Sequence, residues 1–376
     1  MANLFDYLQW RGDVPFQADP FNEVDNLVLC ELAYTDFDGI VPPDGPGVLL
    51  ASAYEQYFAL HSREEVMGRT SYTGKAPLLM EEMVRGARFG GTRVCRYINE
   101  VDKEKDCQVS AVTFLLADGT AFVAFRGTDG TLVGWKEDFD LSYADRTEGQ
   151  RRAVDYLNAA AAAVPGPLRV GGHSKGGHFA VYAAACCDPR TQDRIQQVYS
   201  NDGPGFRPDI LAAAGYQRIV ERVISIVPDT SVIGMLLETQ AAHRVVKSSA
   251  SGIVQHDGFS WQILRNRFVP AKLSETSVFL DQVLDTWLAG MDDDTRRSMT
   301  DTVFSVLSSA GEDTFHAMSE QKLKTAEAIL SAVQKLPREK QREMRRLAAQ
   351  LLQSGGMAAA AYLPGNQGEK KPAEKE

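Results

Sequence analysis

The stretch LRVGGHSKGGHFAVYAAA, residues 168–185, constrains the fold of this chain more than any other part of its sequence. An apolar, strand-like run ends at Val170, a turn crowded with glycine follows, and a run of helix-compatible residues completes the segment. A strand that enters a helix through a tight glycine turn can lift a side chain above the edge of a sheet. Because GHSKG has the pattern G-x-S-x-G, Ser174 is a candidate nucleophile.

This turn has two other interpretations. A phosphate-binding loop also joins a strand to a helix through glycines, but it needs a lysine followed by Ser or Thr. Here Ser174 precedes Lys175, which excludes that loop. A plain glycine turn is the remaining alternative, and the flanking strand and helix favour the nucleophile over it.

Length and charge limit the classes of function. The chain has 376 residues, 44% of them hydrophobic, which suits one large α/β domain with an appended segment. Its formal net charge of −10 argues against a nucleic-acid partner, because nucleic-acid binders carry basic patches.

The sequence also bears on the cellular compartment. The N-terminal MANLFDYLQWRGDVPF is broken by charged residues and lacks a signal-peptide core, and no stretch reaches membrane-spanning length. Five cysteines in no C-x-x-C spacing suggest neither a disulfide framework nor a metal site. We therefore predict a cytoplasmic protein without a transmembrane segment, metal or organic cofactor.

Strand-like and helix-like segments alternate through the first two thirds of the chain. Two β-rich runs flank Asp118-Gly119, a strong hairpin signal. After the glycine turn, IQQVYSN and VISIVP are strand-like, with a helix-prone segment between them. This alternation predicts a mostly parallel central sheet flanked by helices. The apolar run at 27–33 fits either a helix or a strand.

The character of the chain changes near residue 271. Apolar residues recur at helical spacing in VFLDQVLDTWLAGM and in the segments after it, with acidic or hydroxyl residues near their starts. We predict an α/β domain over residues 1–270, a C-terminal helical extension over 271–362 and a disordered tail over 363–376.

The edge of the sheet on which a residue lies selects a candidate base for Ser174. In open α/β sheets, reactive groups gather at the carboxyl ends of the strands. His256 follows the run SGIVQ and precedes an acidic, glycine-containing turn, so we expect it on a loop beyond a strand. His243 stands at the amino end of its strand, the wrong edge. His256 is therefore the candidate base.

Two aspartates compete as the acid that orients the base. Asp229 follows the strand VISIVP and gives the chain order Ser, Asp, His. Asp202 follows the preceding strand and is the rival acid, although it also suits a simple Asx turn before Pro204. Asp229 is the favoured acid.

An oxyanion hole needs two N–H donors near the nucleophile. The first is the backbone N–H of Lys175, the residue after Ser174. The second is expected from the turn after AFVAF, where Thr128 offers a backbone N–H and a hydroxyl. An ordinary strand-ending turn is the alternative interpretation of that segment.

Taken together, FRGT at 125–128, GHSKGG at 172–177 and an acid followed by a histidine resemble the class 3 (fungal-type) lipase superfamily of α/β-hydrolases. The segments FDYLQWRGDVPF, FNEVDNLVLCELAY and VVKSSASGIVQHDGFSW further resemble a bacterial lipase-like family of largely undefined function. The matching segments span roughly residues 4–265, so the helical extension lies outside the generic lipase core.

The resemblance implies Ser174 as nucleophile, Asp229 as acid, His256 as base, and Thr128 with Lys175 as oxyanion donors. It implies a serine hydrolase that cleaves carboxylic esters through an acyl-enzyme, with a small-molecule ester or lipid as substrate. Lipases of this superfamily usually carry an apolar residue where Lys175 stands, so that cation either favours a polar or anionic substrate or pairs with a nearby acid. A catalytically silent scaffold, or a peptidase or acyltransferase with the same triad, are the alternative functions.

Overall fold

The computed structural model describes residues 2–69, 71, 73–128, 131–308, 329 and 331–361 of the chain. The tail predicted from residue 363, and most of the helical segment predicted at 320–336, lie outside these residues. Within the described ranges, no helix is long and apolar enough to cross a membrane.

The described strands form one large sheet and one small ribbon. The large sheet contains, in spatial as well as chain order, β1 (Val48–Leu49), β2 (Arg93–Asp102), β3 (Cys107–Leu115), β4 (Ala121–Phe125), β5 (Leu168–His173), β6 (Ile195–Asn201), β7 (Val223–Pro228) and β8 (His243–Val246). Pairing is antiparallel from β1 to β4 and parallel from β4 to β8. The ribbon pairs β9 (Ile263–Leu264) with β10 (Arg267–Phe268).

Helices surround this sheet. The described α-helices are α1 (Leu4–Arg11), α2 (Glu23–Leu32), α3 (Leu50–Leu60), α4 (Arg63–Met67), α5 (Leu79–Arg85), α6 (Leu132–Asp140), α7 (Glu148–Ala163), α8 (Lys175–Cys186), α9 (Pro189–Arg194), α10 (Pro208–Ala212), α11 (Ala214–Ile219), α12 (Glu275–Ala289), α13 (Asp293–Ser308) and α14 (Arg338–Ala361). The mostly parallel sheet flanked by helices confirms the predicted α/β-hydrolase fold class.

Local sequence explains two of these elements. The predicted hairpin is present between β3 and β4, and Gly119 supplies the positive φ of +81° that its turn requires. The run at 27–33, whose type the sequence left open, lies mainly in α2. There Asn22 and Asp25 form a capping box that starts the helix.

The sheet is buried on both faces. Along β4, Phe122 and Ala124 pack into one hydrophobic cluster with the N-terminal helices, whereas Val123 and Phe125 pack into the other with α7 and α8. Successive parallel strands are added in one direction, so right-handed crossovers bring their helices to the same face. The N-terminal helices cover the opposite face.

One sequence expectation about a strand is wrong. The run SGIVQ, expected to form a strand before His256, forms instead a short 3₁₀ helix, Gly252–His256. Gly252 has a φ of +59°, which turns the chain away from an extended path. His256 therefore lies at the end of this short helix and not beyond the end of a strand.

The helical extension packs against the α/β part of the molecule at more than one place. Phe304 of α13 forms a small apolar cluster with Leu132 of α6, the helix that follows the FRGT turn. The first turn of α12 packs against the segment after β7, since the Ser274 N–H donates to the Asp229 carbonyl at 2.7 Å.

Candidate active site

Ser174 stands in a strained turn between β5 and α8. Its φ of 58° and ψ of −133° are unusual for a residue with a side chain, and such strain is typical of functional turns. The turn is tight enough to require glycine on both sides. A Cβ added to Gly172 would lie 2.1 Å from the Gly176 backbone, and one added to Gly176 would lie 2.1 Å from the Phe125 carbonyl oxygen.

The surroundings of Ser174 suit a developing negative charge. Ser174 is partly exposed, while its neighbours in the turn are buried. Lys175 begins α8, so its N–H has no acceptor within the helix and lies at the positive end of the helix dipole. A Cβ added to Gly127 would lie 2.9 Å from the Ser174 Cβ, so the FRGT turn borders the serine.

The imidazole of His256 is paired with Asp202. His256 Nδ1 lies 2.6 Å from Asp202 Oδ2, and the Asp202 side chain is only 1% exposed whereas that of His256 is 22% exposed. A carboxylate only accepts, so Nδ1 carries the hydrogen and Nε2 is left as the basic nitrogen. Among the described residues, neither Nε2 nor the Ser174 hydroxyl makes a hydrogen bond.

The expected pairing of His256 with Asp229 is not the one that the structure has. The Asp229 carboxylate accepts instead from the Thr230 hydroxyl at 3.3 Å. The register of the sheet gives the reason. Asn201 of β6 pairs with His173 of β5, so Asp202 leaves its strand at the same level as Ser174. Asp229 follows β7, one strand further away, beyond the paired part of that strand.

A second chain of hydrogen bonds joins the FRGT turn to His256. Burial lowers the pKa of His173 to about 3, so its ring is neutral. His173 Nε2 lies 2.7 Å from the His256 carbonyl oxygen and must therefore be its protonated nitrogen. Nδ1 then accepts from the Tyr34 hydroxyl at 3.0 Å, and Tyr34 accepts from the Gly127 N–H. The rings of His173 and His256 lie 4.6 Å apart, which sets the base beside the turn that holds Ser174.

A buried carboxyl group lies behind this chain. Glu31 Oε1 is 3.7 Å from His173 Nδ1, and neither oxygen of Glu31 has a hydrogen-bond partner among the described residues. Burial, and secondly the Asp257 carboxylate, raise the pKa of Glu31 well above its usual value. Because the His173 ring is neutral near pH 7, its approach to Glu31 is not an ion pair.

The side chain of Lys175, the residue after Ser174, faces the interior. Lys175 Nζ lies 3.0 Å from Glu137 Oε2, and both side chains are fully buried. Glu137 also accepts from the backbone N–H groups of Gln108 at 3.0 Å and Gly149 at 2.9 Å. Of the two roles left open for Lys175, the geometry favours the ion pair with an acid over a contact with substrate.

The hydroxyl of Thr128 is also engaged. It donates to Asp138 Oδ2 at 2.6 Å, and burial raises the pKa of Asp138 to about 6, with the Lys175 charge acting in the opposite direction. The backbone N–H of Thr128 remains the group that it offers to an oxyanion. The side chains of Lys175 and Thr128 both bind to α6, so only their backbone amides remain as candidate oxyanion donors.

Two apolar side chains are exposed in the short helix that contains His256. Ile253 and Val254, in the same short helix as His256, are 62% and 40% exposed. Among the described residues, no group of three or more His, Cys, Asp or Glu side chains is arranged to hold a metal ion.

Sequence reasoning missed several residues around the site. Glu137 contacts Lys175, Ser231 contacts Asp202, and Tyr34 contacts His173, each from a distant part of the chain. Only Glu137 had a local signal, because it lies in WKEDFD shortly after the FRGT turn. Asp202 is the rival acid of the sequence analysis, and it follows β6, the next strand after the one that leads to Ser174.

A family model supports the lipase-like resemblance, and one solved structure is weakly similar to the chain. A solved structure described as the crystal structure of M37 lipase is 14% identical, with a TM-score of 0.33, over 48% of this chain and 72% of that chain. No curated protein matches the chain. The family model described as Mbeg1-like matches residues 83–305, more than half of the chain, from the end of α5 into α13. The chain belongs to the Mbeg1-like family, a lipase-like group of α/β-hydrolase fold.

Proposed function

We propose that the protein is a serine hydrolase that cleaves carboxylic esters, with Ser174 as nucleophile, His256 as base and Asp202 as the acid that orients it. The observation that carries this proposal is the 2.6 Å contact between His256 Nδ1 and Asp202, beside a serine in a strained elbow. The lipase-like family and fold support hydrolase-type chemistry more generally.

Acylation begins with proton transfer. His256 Nε2 takes the hydroxyl proton of Ser174 as the serine oxygen bonds to the carbonyl carbon of the ester. Asp202 stabilises the imidazolium and keeps the hydrogen on Nδ1. The backbone N–H groups of Lys175 and Thr128 stabilise the oxyanion, and His256 then donates the proton to the departing alcohol as the ester bond breaks.

Deacylation repeats these steps with water. His256 Nε2 takes a proton from water, the hydroxide oxygen bonds to the acyl carbon, and the proton returns to Ser174 as the acyl bond breaks. The products are a carboxylic acid and the free enzyme. Every proton moves between water, substrate and the two side chains.

The surroundings of the base favour an ester with an apolar portion. Ile253 and Val254 present apolar surface beside His256, and a hydrophobic contact there stabilises an acyl chain or apolar alcohol without a directional bond. The Lys175 side chain is fully buried in its ion pair with Glu137, so it offers an anionic substrate no partner.

Labelling with a fluorophosphonate probe tests the proposal directly. Such a probe bonds to an activated serine, and mass spectrometry locates the adduct. We expect an adduct on Ser174 in the wild type and none in Ser174→Ala or His256→Ala. His243→Ala is the matched control, because His243 is a half-buried histidine that bonds Ser225 outside the site.

Two results would favour the alternative functions. A folded wild-type protein that stays unlabelled, and that hydrolyses no ester, points to a silent scaffold. Labelling of Ser174 together with turnover of amides, or of acyl acceptors other than water, points to a peptidase or an acyltransferase. A panel of ester, thioester and amide substrates, assayed with Ser174→Ala as blank, separates these outcomes.

A further inference from the structure

A chain of buried hydroxyl groups runs from the helical extension to the candidate acid. Ser277, in the first turn of α12, donates its hydroxyl hydrogen to the Ser231 carbonyl oxygen. Ser231 in turn donates its own hydroxyl hydrogen to Asp202 Oδ1. Ser277 is fully buried, and Ser231 and Asp202 are each 1% exposed, so water does not compete for these bonds.

A second connection leads from α12 to the segment that carries the base. Ser274 caps α12 by accepting from the Ser277 N–H at 3.1 Å, and its hydroxyl oxygen lies 3.2 Å from the Thr230 hydroxyl oxygen, within hydrogen-bond distance. The Thr230 N–H donates to Gln255 Oε1 at 2.9 Å. Gln255 directly precedes His256, so the start of α12 contacts the supports of both acid and base.

The geometry of Asp202 gives this chain a mechanical role. Rotation about the bond between Cβ and the carboxyl carbon of aspartate is soft, so one hydrogen bond at Oδ2 does not fix the carboxylate plane. The plane is set at the other oxygen, Oδ1, by the Ser231 hydroxyl and by the Gly234 N–H at 3.1 Å. Loss of the Ser231 hydroxyl leaves Oδ1 with a single donor.

Turn formation alone does not explain the direction of the Ser231 hydroxyl. Its oxygen accepts from the Gly234 N–H at 3.1 Å, as in an ordinary serine turn, and this needs no hydrogen from the hydroxyl. The hydrogen is directed at Asp202, which makes the bond charge-assisted and stronger than a neutral one.

We infer that Ser231 is a positioning residue for Asp202 and that α12 holds it in place through Ser277, so that the helical extension forms part of the catalytic support. This inference rests on the proposed function of the Ser174, His256 and Asp202 group. It goes further by assigning a role in catalysis to α12, a helix that follows the last strand of the sheet in sequence.

Point substitutions in the full-length chain test the inference. Ser231→Ala should lower kcat for a short-chain ester, and the rate of fluorophosphonate labelling at Ser174, by about tenfold with KM unchanged. Ser277→Ala should give a smaller loss in the same two rates. Ser298→Ala is the matched control, since that serine donates to Glu343 at 3.1 Å entirely within the extension, and its rates should equal those of the wild type.

The double variant Ser231→Ala/Ser277→Ala separates a connected chain from two independent effects. If Ser277 acts through Ser231, the loss in the double variant falls short of the product of the two single losses. Losses that multiply fully, or a Ser231→Ala variant that raises KM while kcat is unchanged, overturn the inference. Thermal unfolding of each variant checks that the variant is folded at the temperature of the assay.

A spectroscopic readout keeps this test independent of turnover. The hydrogen on His256 Nδ1, held by a carboxylate at 2.6 Å, should give a far-downfield proton NMR signal that is lost in Asp202→Asn. Ser231→Ala should shift or broaden that signal, and Ser298→Ala should leave it unchanged. A wild-type protein with this signal but no labelling contradicts the proposed function alone, whereas an unchanged signal in Ser231→Ala contradicts the inference alone.

Discussion

At the scale of single residues, the strand end that lies level with Ser174 decides which aspartate can pair with His256. Asp202 follows a strand whose last residue pairs with His173, and a φ of 49° turns it sharply out of that strand. Asp229 satisfies the same chain order but belongs to the next strand. Order along the chain cannot distinguish them, because both aspartates lie between Ser174 and His256 in sequence.

Identical substitutions at the two aspartates test this assignment. We expect Asp202→Asn to lower kcat by about 10⁴-fold, because an amide no longer holds the imidazole in the tautomer that accepts a proton. Asp229→Asn, the matched control, should stay within a few fold of the wild type. Steady-state hydrolysis of a chromogenic ester measures both, and a reversed order of the two variants would restore Asp229 as the acid.

At the scale of elements, a buried ion pair joins the start of α8 to α6. Lys175 lies directly after the nucleophile, and Glu137 lies in the same helix as the Asp138 that accepts from Thr128. The two candidate oxyanion donors are therefore anchored by neighbouring residues of one helix. Because both charges are fully buried, the pair is costly to break even if it contributes little net stability.

Removal of one partner should expose that cost. Lys175→Met leaves Glu137 as an unpaired buried charge, so we expect a loss of roughly 3–5 kcal/mol in the free energy of unfolding. Lys175→Met/Glu137→Gln should recover part of it, because the amide is neutral and its oxygen still accepts from one of the two backbone N–H groups. Urea denaturation measures both.

Lys136 of the same helix provides the control for the ion pair. Its side chain is 20% exposed and contacts Asp301 at 3.0 Å, so Lys136→Met should lose no more than about 1 kcal/mol. Equal losses in Lys175→Met and Lys136→Met would show that Glu137 is not a desolvated charge.

At the scale of the whole molecule, the closure of the N-terminal helices over the sheet buries a carboxyl group that has no hydrogen-bond partner in the part of the chain that the structure describes. Glu31 of α2 is fully buried, and a Cβ added to Gly258 would lie 2.3 Å from its Oε1. The segment that follows His256 therefore packs directly on this group. Its raised pKa links the stability of the fold to pH.

The sign of that link follows from the protons bound in each state. Above about pH 4 the unfolded state releases the Glu31 proton while the folded state keeps it, so Glu31 makes stability fall as pH rises from there towards the raised folded pKa. Glu31→Gln cannot ionise, so its stability should decline less than that of the wild type between pH 4 and 8. Urea denaturation between pH 4 and 8 measures this difference in pH dependence. Below pH 4 the stabilities of the two proteins should change with pH in the same way. Parallel plots of stability against pH between pH 4 and 8 would contradict the prediction.

The sequence by itself determined the local elements and the candidate nucleophile. Glycine spacing around Ser174, the Asp118-Gly119 hairpin and the alternation of strand and helix depend on interactions between near neighbours, which residue types specify directly. Only the tertiary structure decided that Asp202 contacts His256, that Lys175 pairs inward with Glu137, and that Ser277 of α12 reaches Ser231. Each of these contacts joins residues from separate elements, so it depends on strand register and helix packing, which the order of residues along one chain does not contain.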